Sequence, residues 1–260
     1  MIKKLPLLIG LLYLSFNVFS QEKVEKMYYY TSPDTDGYIS INKETSTEYA
    51  GKVELTTNVN ATFGNKPLSF NLETTCDSDK MVMASKFSFD GKIDVNIQDV
   101  TFTGERIKID KNETSFWHFK GDFKDEVEVD PDFKKFAFSK YNTTLKLPPR
   151  TVPSFNVWAI VPQLPFDRKG TFKFNVLDET KLYVRRNQTI NYLGTTKTNI
   201  NGEDIKLHKF VHQGDGIKPA YYWVSDDRKL MQVLLDDKYT FTLSTKEAAL
   251  QTAMLTKNDE

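Results

Sequence analysis

The chain has 260 residues, of which 13% are aromatic, and its 35 basic residues are balanced by 35 acidic ones. Because the chain has no net charge and no basic tract, it lacks the electrostatic footprint of a nucleic-acid-binding protein. The single cysteine, Cys76, excludes an intrachain disulfide. Stability must therefore come from buried side chains, to which aromatic rings contribute large apolar areas.

The N-terminal segment predicts a secretory signal peptide over residues 1–20. Two lysines precede an apolar stretch over 5–18, which is the order of a charged n-region and an apolar h-region. Cleavage is expected between Ser20 and Gln21. The alternative is a transmembrane anchor, but such a helix needs about 20 apolar residues, and this stretch is shorter. We therefore expect an exported protein, periplasmic or secreted, that is soluble and not membrane-embedded.

Period-two alternation of apolar and polar residues recurs along the chain and predicts antiparallel strands. In the first half, the alternating segments are 53–59, 68–72, 81–89 and 92–102. Asp90-Gly91 separates the last two segments and is typical of a hairpin turn. The segments 81–89 and 92–102 are therefore predicted to form a long hairpin. In its second arm, 92–102, the apolar residues change from odd to even positions, which predicts a β-bulge near Gln98 and Asp99.

The second half continues the same pattern. Alternating segments stand at 172–176, 182–184, 205–207 and 233–235, and the pairs Asn201-Gly202, Asp226-Asp227 and Asp236-Asp237 lie between such segments. Asn, Asp and Gly favour turns. We therefore predict a mostly β fold, in which a long antiparallel meander forms a curved sheet or an open half-barrel.

Helical patterns are rare in this sequence. A short helix is predicted over 154–161, which two prolines bound and where Phe155, Trp158 and Val161 recur at three-residue spacing. A C-terminal helix is expected over 245–255, with a serine or threonine as its cap.

The Pro-rich stretch 147–165 allows two interpretations of the domain organisation. Proline stiffens linkers and marks boundaries, so the stretch could separate two domains. A solvated linker would not carry so many apolar residues, however. We therefore expect residues 21–260 to form a single β domain, in which this stretch is a helix that packs on the curved sheet and plugs its open side.

The sequence contains no motif that predicts catalysis, a metal or a cofactor. It lacks the Gly-x-Ser-x-Gly, Walker and Gly-x-Gly-x-x-Gly patterns, and no neighbour of Cys76 in sequence would lower its thiol pKa. His118, His208 and His212 are not at metal-ligand spacing. Asp34–Gly37 resembles the start of a calcium loop without its later ligands, so a turn is expected. We predict a non-enzymatic protein, with a hydrolase whose carboxylates pair in space as an alternative.

Three aromatic clusters place aromatic rings on both faces of a strand. They are Tyr28–Tyr30, Phe116–Phe119 and Tyr221–Trp223. One face must be core, and the other could line a cavity, pack under the helix, stack on sugars or meet a partner protein. We take Phe155, Trp158, Val161, Tyr222 and Trp223 as candidate lining residues for an apolar small molecule or lipid between sheet and helix. The alternative is a structural or interaction module whose edge strands or aromatic faces contact an envelope protein.

The second part of the chain, from Leu147-Pro148-Pro149-Arg150 to the end, resembles a family of uncharacterised bacterial exported domains. In that family, a Pro-flanked apolar segment precedes strands that close on an aromatic-Trp-Val-x-Asp-x-Arg-x-Leu pattern. The matching residues here are Tyr222–Leu230, YWVSDDRKL. Such domains look like the curved half-barrels of envelope lipoprotein carriers, which hold acyl chains between a concave sheet and a helical lid. The resemblance covers less than half of the chain and implies a fold more than a function.

Overall fold

The computed structural model describes residues 24–45, 52–64, 66–77, 84–92, 100–111, 114–122, 140–167, 170–178 and 183–255. The signal peptide predicted over 1–20, with its cleavage site between Ser20 and Gln21, lies outside the described residues. So does the β-bulge predicted near Gln98 and Asp99.

All the strands in these ranges belong to one sheet. They are β1 (Val24–Thr31), β2 (Thr35–Thr45), β3 (Val53–Phe63), β4 (Lys66–Cys76), β5 (Ala84–Lys92), β6 (Val100–Ile109), β7 (Ser115–Asp122), β8 (Lys140–Leu147), β9 (Thr151–Pro153), β10 (Thr171–Asp178), β11 (Tyr183–Ile200), β12 (Glu203–Gln213), β13 (Ala220–Val224), β14 (Leu230–Leu235) and β15 (Tyr239–Ser244). Along the sheet the order runs from β8 back to β1, then from β15 back to β9. Pairing is antiparallel except between β9 and β10, so the predicted meander is confirmed.

Both predicted helices are confirmed. The first, α1 (Asn156–Ile160), continues into a 3-10 turn at Val161–Gln163, and the second, α2 (Lys246–Leu255), follows β15. The N–H of Ala248 donates to Thr245 Oγ1 at 3.2 Å, which is the expected cap. The α2 helix packs against β1 and β2. Neither helix has the length and apolarity that crossing a membrane would require, in the part of the chain that is described.

A link of three residues joins the two edges of the sheet, since β8 ends at Leu147 and β9 begins at Thr151. If the sheet were flat, strands spaced by about 4.8 Å would hold its edges roughly 67 Å apart. A link of this length spans about 15 Å at most. The sheet therefore curls into a nearly closed barrel with one seam, between β8 and β9. The curved sheet predicted from the sequence is confirmed in this form.

This edge link, residues Pro148–Arg150, is held in place by hydrogen bonds. Thr151 Oγ1 donates to the carbonyl of Pro148 at 2.8 Å. From β10, Asn175 donates its side-chain Nδ2 to the carbonyl of Pro149 at 2.7 Å and its backbone N–H to that of Arg150 at 3.0 Å. The seam is thus fixed to the strand beside β9.

The inner face of the barrel holds one hydrophobic core to which both halves of the chain contribute. Its rings include Phe70, Phe87, Phe89, Phe102, Trp117 and Phe119 from the first half, and Phe174, Phe210 and Phe241 from the second. Val157, Trp158 and Ile160 of α1 belong to the same cluster. The Pro-rich stretch 147–165 therefore passes among core side chains from both halves.

The structure places Asp90 and Gly91 inside β5 instead of at the predicted turn. Both residues pair in register with β6, and of the second arm predicted over 92–102 only Val100–Phe102 pair with β5 in the described residues. The predicted position of the turn is therefore wrong. A Cβ on Gly91 would lie 2.3 Å from the carbonyl oxygen of Ser69 and 2.4 Å from Cα of Phe70. A glycine that looks like a turn signal in the sequence is instead required where the β4 backbone comes close.

We expect Gly91→Ala to lower the free energy of unfolding by about 1–3 kcal/mol, because the added methyl group would overpack against β4. Gly170→Ala is the matched control, since a Cβ there meets nothing within 4 Å. Urea denaturation followed by tryptophan fluorescence measures both variants. Equal stability of the two would contradict the proposed close approach.

Candidate functional site

The α1 helix places Trp158 inside the barrel, where the first and last strands pair. Pro153 and Pro162 bound the helix and limit it to five residues. The Trp158 ring makes edge contacts with Tyr30 of β1 and Phe241 of β15, with ring centroids 5.2 and 5.7 Å apart. Trp158 is 4% exposed. It therefore acts as a spacer between the helix and the junction of β1 with β15.

Arg228, in the turn between β13 and β14, fastens the segment that follows α1. Its Nη1 donates to the carbonyl of Pro162 at 3.2 Å and to that of Leu164. The guanidinium carbon lies 3.7 Å from the ring centroid of Phe166, and this ring also stacks on His208 at 3.7 Å. The arginine of the YWVSDDRKL pattern thus holds residues 162–166, the segment after the α1 plug, against the sheet.

The larger of two cavities beside Trp158 has a volume of about 650 Å³. Its apolar wall includes Tyr30, Ile41, Trp158, Ala159 and Leu230. Its charged lining residues are Lys26, Lys43, Asp227, Arg228 and Lys229. A volume of this size falls in the usual range of ligand pockets, about 300–1,000 Å³. The cavity combines an apolar wall with a mostly cationic one.

The smaller cavity, with a volume of about 190 Å³, also has Trp158 in its wall. Phe155 and Tyr222 contribute further aromatic surface, and the polar side chains that line it include Arg185, Gln188, His212 and Asp236. Because Trp158 lines both cavities, this ring is the shared wall of the site.

His212 is held neutral in the wall of the smaller cavity. Gln188 Nε2 donates to the carbonyls of Arg186 and Asp215 at 2.7 and 3.0 Å, so its Oε1 is left to face His212. The His212 Nε2–H donates to this oxygen at 3.0 Å. Burial, with a smaller effect of the Arg185 charge, lowers the pKa of His212 to about 4. The imidazole is therefore a neutral donor at physiological pH.

Three buried groups near α1, the Tyr30 and Tyr222 phenols and the Cys76 thiol, are also kept neutral. Burial raises the pKa of the Tyr30 and Tyr222 phenols above the ordinary value. Burial, helped by the Asp77 carboxylate, raises the pKa of the Cys76 thiol to about 12. Arg106, which is distant from Cys76 in sequence, has a smaller effect that lowers this pKa. A neutral thiol is a weak nucleophile.

The structure places the five predicted lining residues in different environments. Phe155 and Tyr222 line the smaller cavity, and Trp158 lines both. Val161 lies in the core and lines neither cavity. Trp223 packs in a separate outer cluster, because consecutive strand residues point to opposite faces and Tyr222 points inward.

Several residues of the larger cavity were missed by the sequence interpretation. On β1, Lys26 is an even number of residues from Tyr30 and therefore points to the same, inner face, and on β2 the same holds for Lys43 and Ile41. The sequence pattern that could have identified them is a lysine at alternate positions with buried apolar residues of the same strand. Arg228 was identified only as part of a resemblance, without a role.

The described residues place no group of three or more His, Cys, Asp or Glu where they could hold a metal ion. His208 instead accepts or donates hydrogen bonds at both ring nitrogens, with Tyr192 at 2.9 Å and Asp226 at 2.7 Å. Each cavity beside Trp158 has one carboxylate in its described wall, Asp227 in the larger and Asp236 in the smaller. The hydrolase alternative, which needs two carboxylates in one cleft, gains no support from these walls.

The buried neutral state of His212 predicts a pH dependence of stability. In the folded protein its pKa is about 4, against 6.5 when exposed, so the unfolded chain binds more protons between these values and stability rises with pH. The stability advantage of wild type over His212→Gln should grow by up to about 3 kcal/mol across this window.

Urea unfolding at a series of pH values measures this difference, and His118→Gln is the control that leaves the buried site intact. The interpretation fails if His212→Gln keeps the pH dependence of the wild-type protein.

No family model matches this sequence, and no curated protein matches it. Among solved structures, the fold is similar to the crystal structure of a beta-barrel-like protein of domain of unknown function DUF1849 from Brucella abortus. The TM-score is 0.45 at 10% sequence identity, and the alignment covers 86% of this chain and 96% of the other.

Proposed function

We propose that this protein is an exported, non-enzymatic binding protein that holds a lipid or another apolar ligand between the inner face of the sheet and α1. The observation that carries the proposal is the cavity of about 650 Å³ beside Trp158. Its volume and its apolar wall are those of a small-molecule site.

The contrast with the rest of the interior supports this interpretation. In the first half of the chain, aromatic rings pack against one another, as in the contacts of Phe89 with Phe70 and Phe102, whose centroids are 4.8 and 5.0 Å away. Beside Trp158 the packing leaves the larger cavity, which Tyr30 and Ile41 line. Tyr30 and Ile41 are already buried, so an apolar ligand would take out of water the half-buried Tyr28 and Ala159 of the same lining, which stabilises a complex by about 25 cal/mol per Å².

The non-enzymatic part of the proposal rests on the ionisation of the groups that surround α1. The Tyr30 and Tyr222 phenols, the Cys76 thiol and the His212 imidazole are all biased towards their neutral forms. The export part rests on the charged and apolar N-terminal segment over 1–20.

A second candidate function is protein interaction, and one observation favours it. On the outer face, Ile200, Leu207 and Trp223 form a separate hydrophobic cluster, against which the partly exposed Tyr221 and Met231 pack. Aromatic surface of this kind is enriched in protein interfaces. Site-specific photo-cross-linking from position 221 in the host would count against this function if it captured no reproducible partner.

Filling the larger cavity tests the proposed binding function. We expect Ala159→Phe to abolish binding of a fluorescent fatty acid, because Ala159 lies in the cavity wall and a phenyl ring there would occupy ligand space. Ala248→Phe is the matched control, since Ala248 is exposed on α2.

Fluorescence titration measures binding, and far-UV circular dichroism verifies that both variants are folded. Tight binding by wild type and by folded Ala159→Phe alike would place the ligand elsewhere. No binding by wild type would refute the proposed function itself.

A further inference from the structure

The geometry of the larger cavity points to an anionic amphiphile as its ligand, with an apolar chain against the aromatic wall and a negative headgroup at paired lysines. This inference rests on the proposed binding function and specifies the class of ligand. Its basis is the position of Lys26 and Lys43, which are direct cross-strand partners and line the same cavity.

The two lysines stand opposite each other on the inner face of β1 and β2. Both strands place apolar side chains, Tyr30 and Ile41, further along the same face. An anion at Lys26 and Lys43 would contact both ammonium groups, while its chain would lie along the same face of the sheet.

The acidic residues of these two strands lie on the opposite face. Glu25 and Glu44 are also direct cross-strand partners, one position along from the lysines, so they point outward. Asn42 Nδ2 donates to both carboxylates, at 3.0 and 3.5 Å. The strand pair is thus polarised, with positive charge towards the cavity and negative charge away from it.

The opposite wall of the cavity adds to the positive field. The turn between β13 and β14 contributes Arg228, Lys229 and one acid, Asp227. Asp227 is already paired with Lys229, with Oδ2 and Nζ 2.7 Å apart. The described lining therefore holds four cationic side chains and one carboxylate, in a chain whose formal net charge is zero. A cavity whose lining carries an excess of one sign of charge concentrates ligands of the other sign.

The apolar wall decides where the chain of the ligand lies. The half-buried Tyr28 and Ala159 provide its accessible part. The lysine ammonium groups are point charges that bind a carboxylate or a phosphate headgroup. The shared chemistry is therefore a single anionic headgroup on an apolar chain. An alkyl carboxylate and an alkyl phosphate both fit this description.

Isothermal titration calorimetry with ligands of one chain length separates headgroup from chain. The probes are dodecanoate, dodecyl phosphate, dodecanol and dodecyltrimethylammonium, each below its critical micelle concentration. We expect at least one of the anions to bind roughly tenfold or more tightly than the alcohol and the cation, as charge-assisted contacts are the stronger ones. This advantage should shrink as salt screens the lysines.

Lysine variants locate the headgroup. Lys26→Gln and Lys43→Gln should each weaken binding of the preferred anion on the order of tenfold and leave dodecanol binding unchanged. Lys197→Gln, at an exposed position of β11 outside the cavity, is the matched control and should bind as wild type does.

Each outcome bears on one of the two proposals. If dodecanol binds as tightly as both anions, or if folded Lys26→Gln and Lys43→Gln bind the anion like wild type, the anionic headgroup is overturned and the binding function stands. If none of the probes binds wild type, the proposed binding function fails, and the headgroup inference fails with it.

Discussion

The short covalent link between β8 and β9 is the constraint on which the rest of the structure depends. The strands of the two halves extend to opposite sides of the β1–β15 pair. Residues 148–150 connect β8 and β9, the two edges that lie farthest apart in the sheet. A flat sheet cannot satisfy this link, so the sheet must close. Closure gives one face an interior that has to be filled at the density of a protein core.

The connection that closes the sheet also carries the element that occupies its interior. After β9, the chain enters the barrel as α1, and Trp158 packs between Tyr30 and Phe241 on the first and last strands. Arg228 then fastens the following segment through its carbonyl groups. This helix of five residues fills only part of the space and leaves the two cavities beside Trp158. The proposed binding site is thus a consequence of how the barrel closes.

Much of the fold could be predicted from local patterns, because strand alternation and turn residues act over a few positions. Asn201-Gly202 and Asp236-Asp237 form turns with positive φ at each residue, as their chemistry favours. Asp90-Gly91 was misplaced, since a close backbone approach requires glycine as a turn does. The site depends on register between distant segments. The pairing of β1 with both β2 and β15 sets which side chains meet, and no local pattern reveals that Lys26 faces Lys43.

The central claim is that the space beside the plug holds a ligand, and native mass spectrometry of the protein purified from its own host tests it most directly. The claim predicts a population heavier than the polypeptide alone, and organic extraction should release an amphiphile that accounts for the added mass. A single species at the mass of the bare polypeptide, with nothing released by extraction, would contradict it.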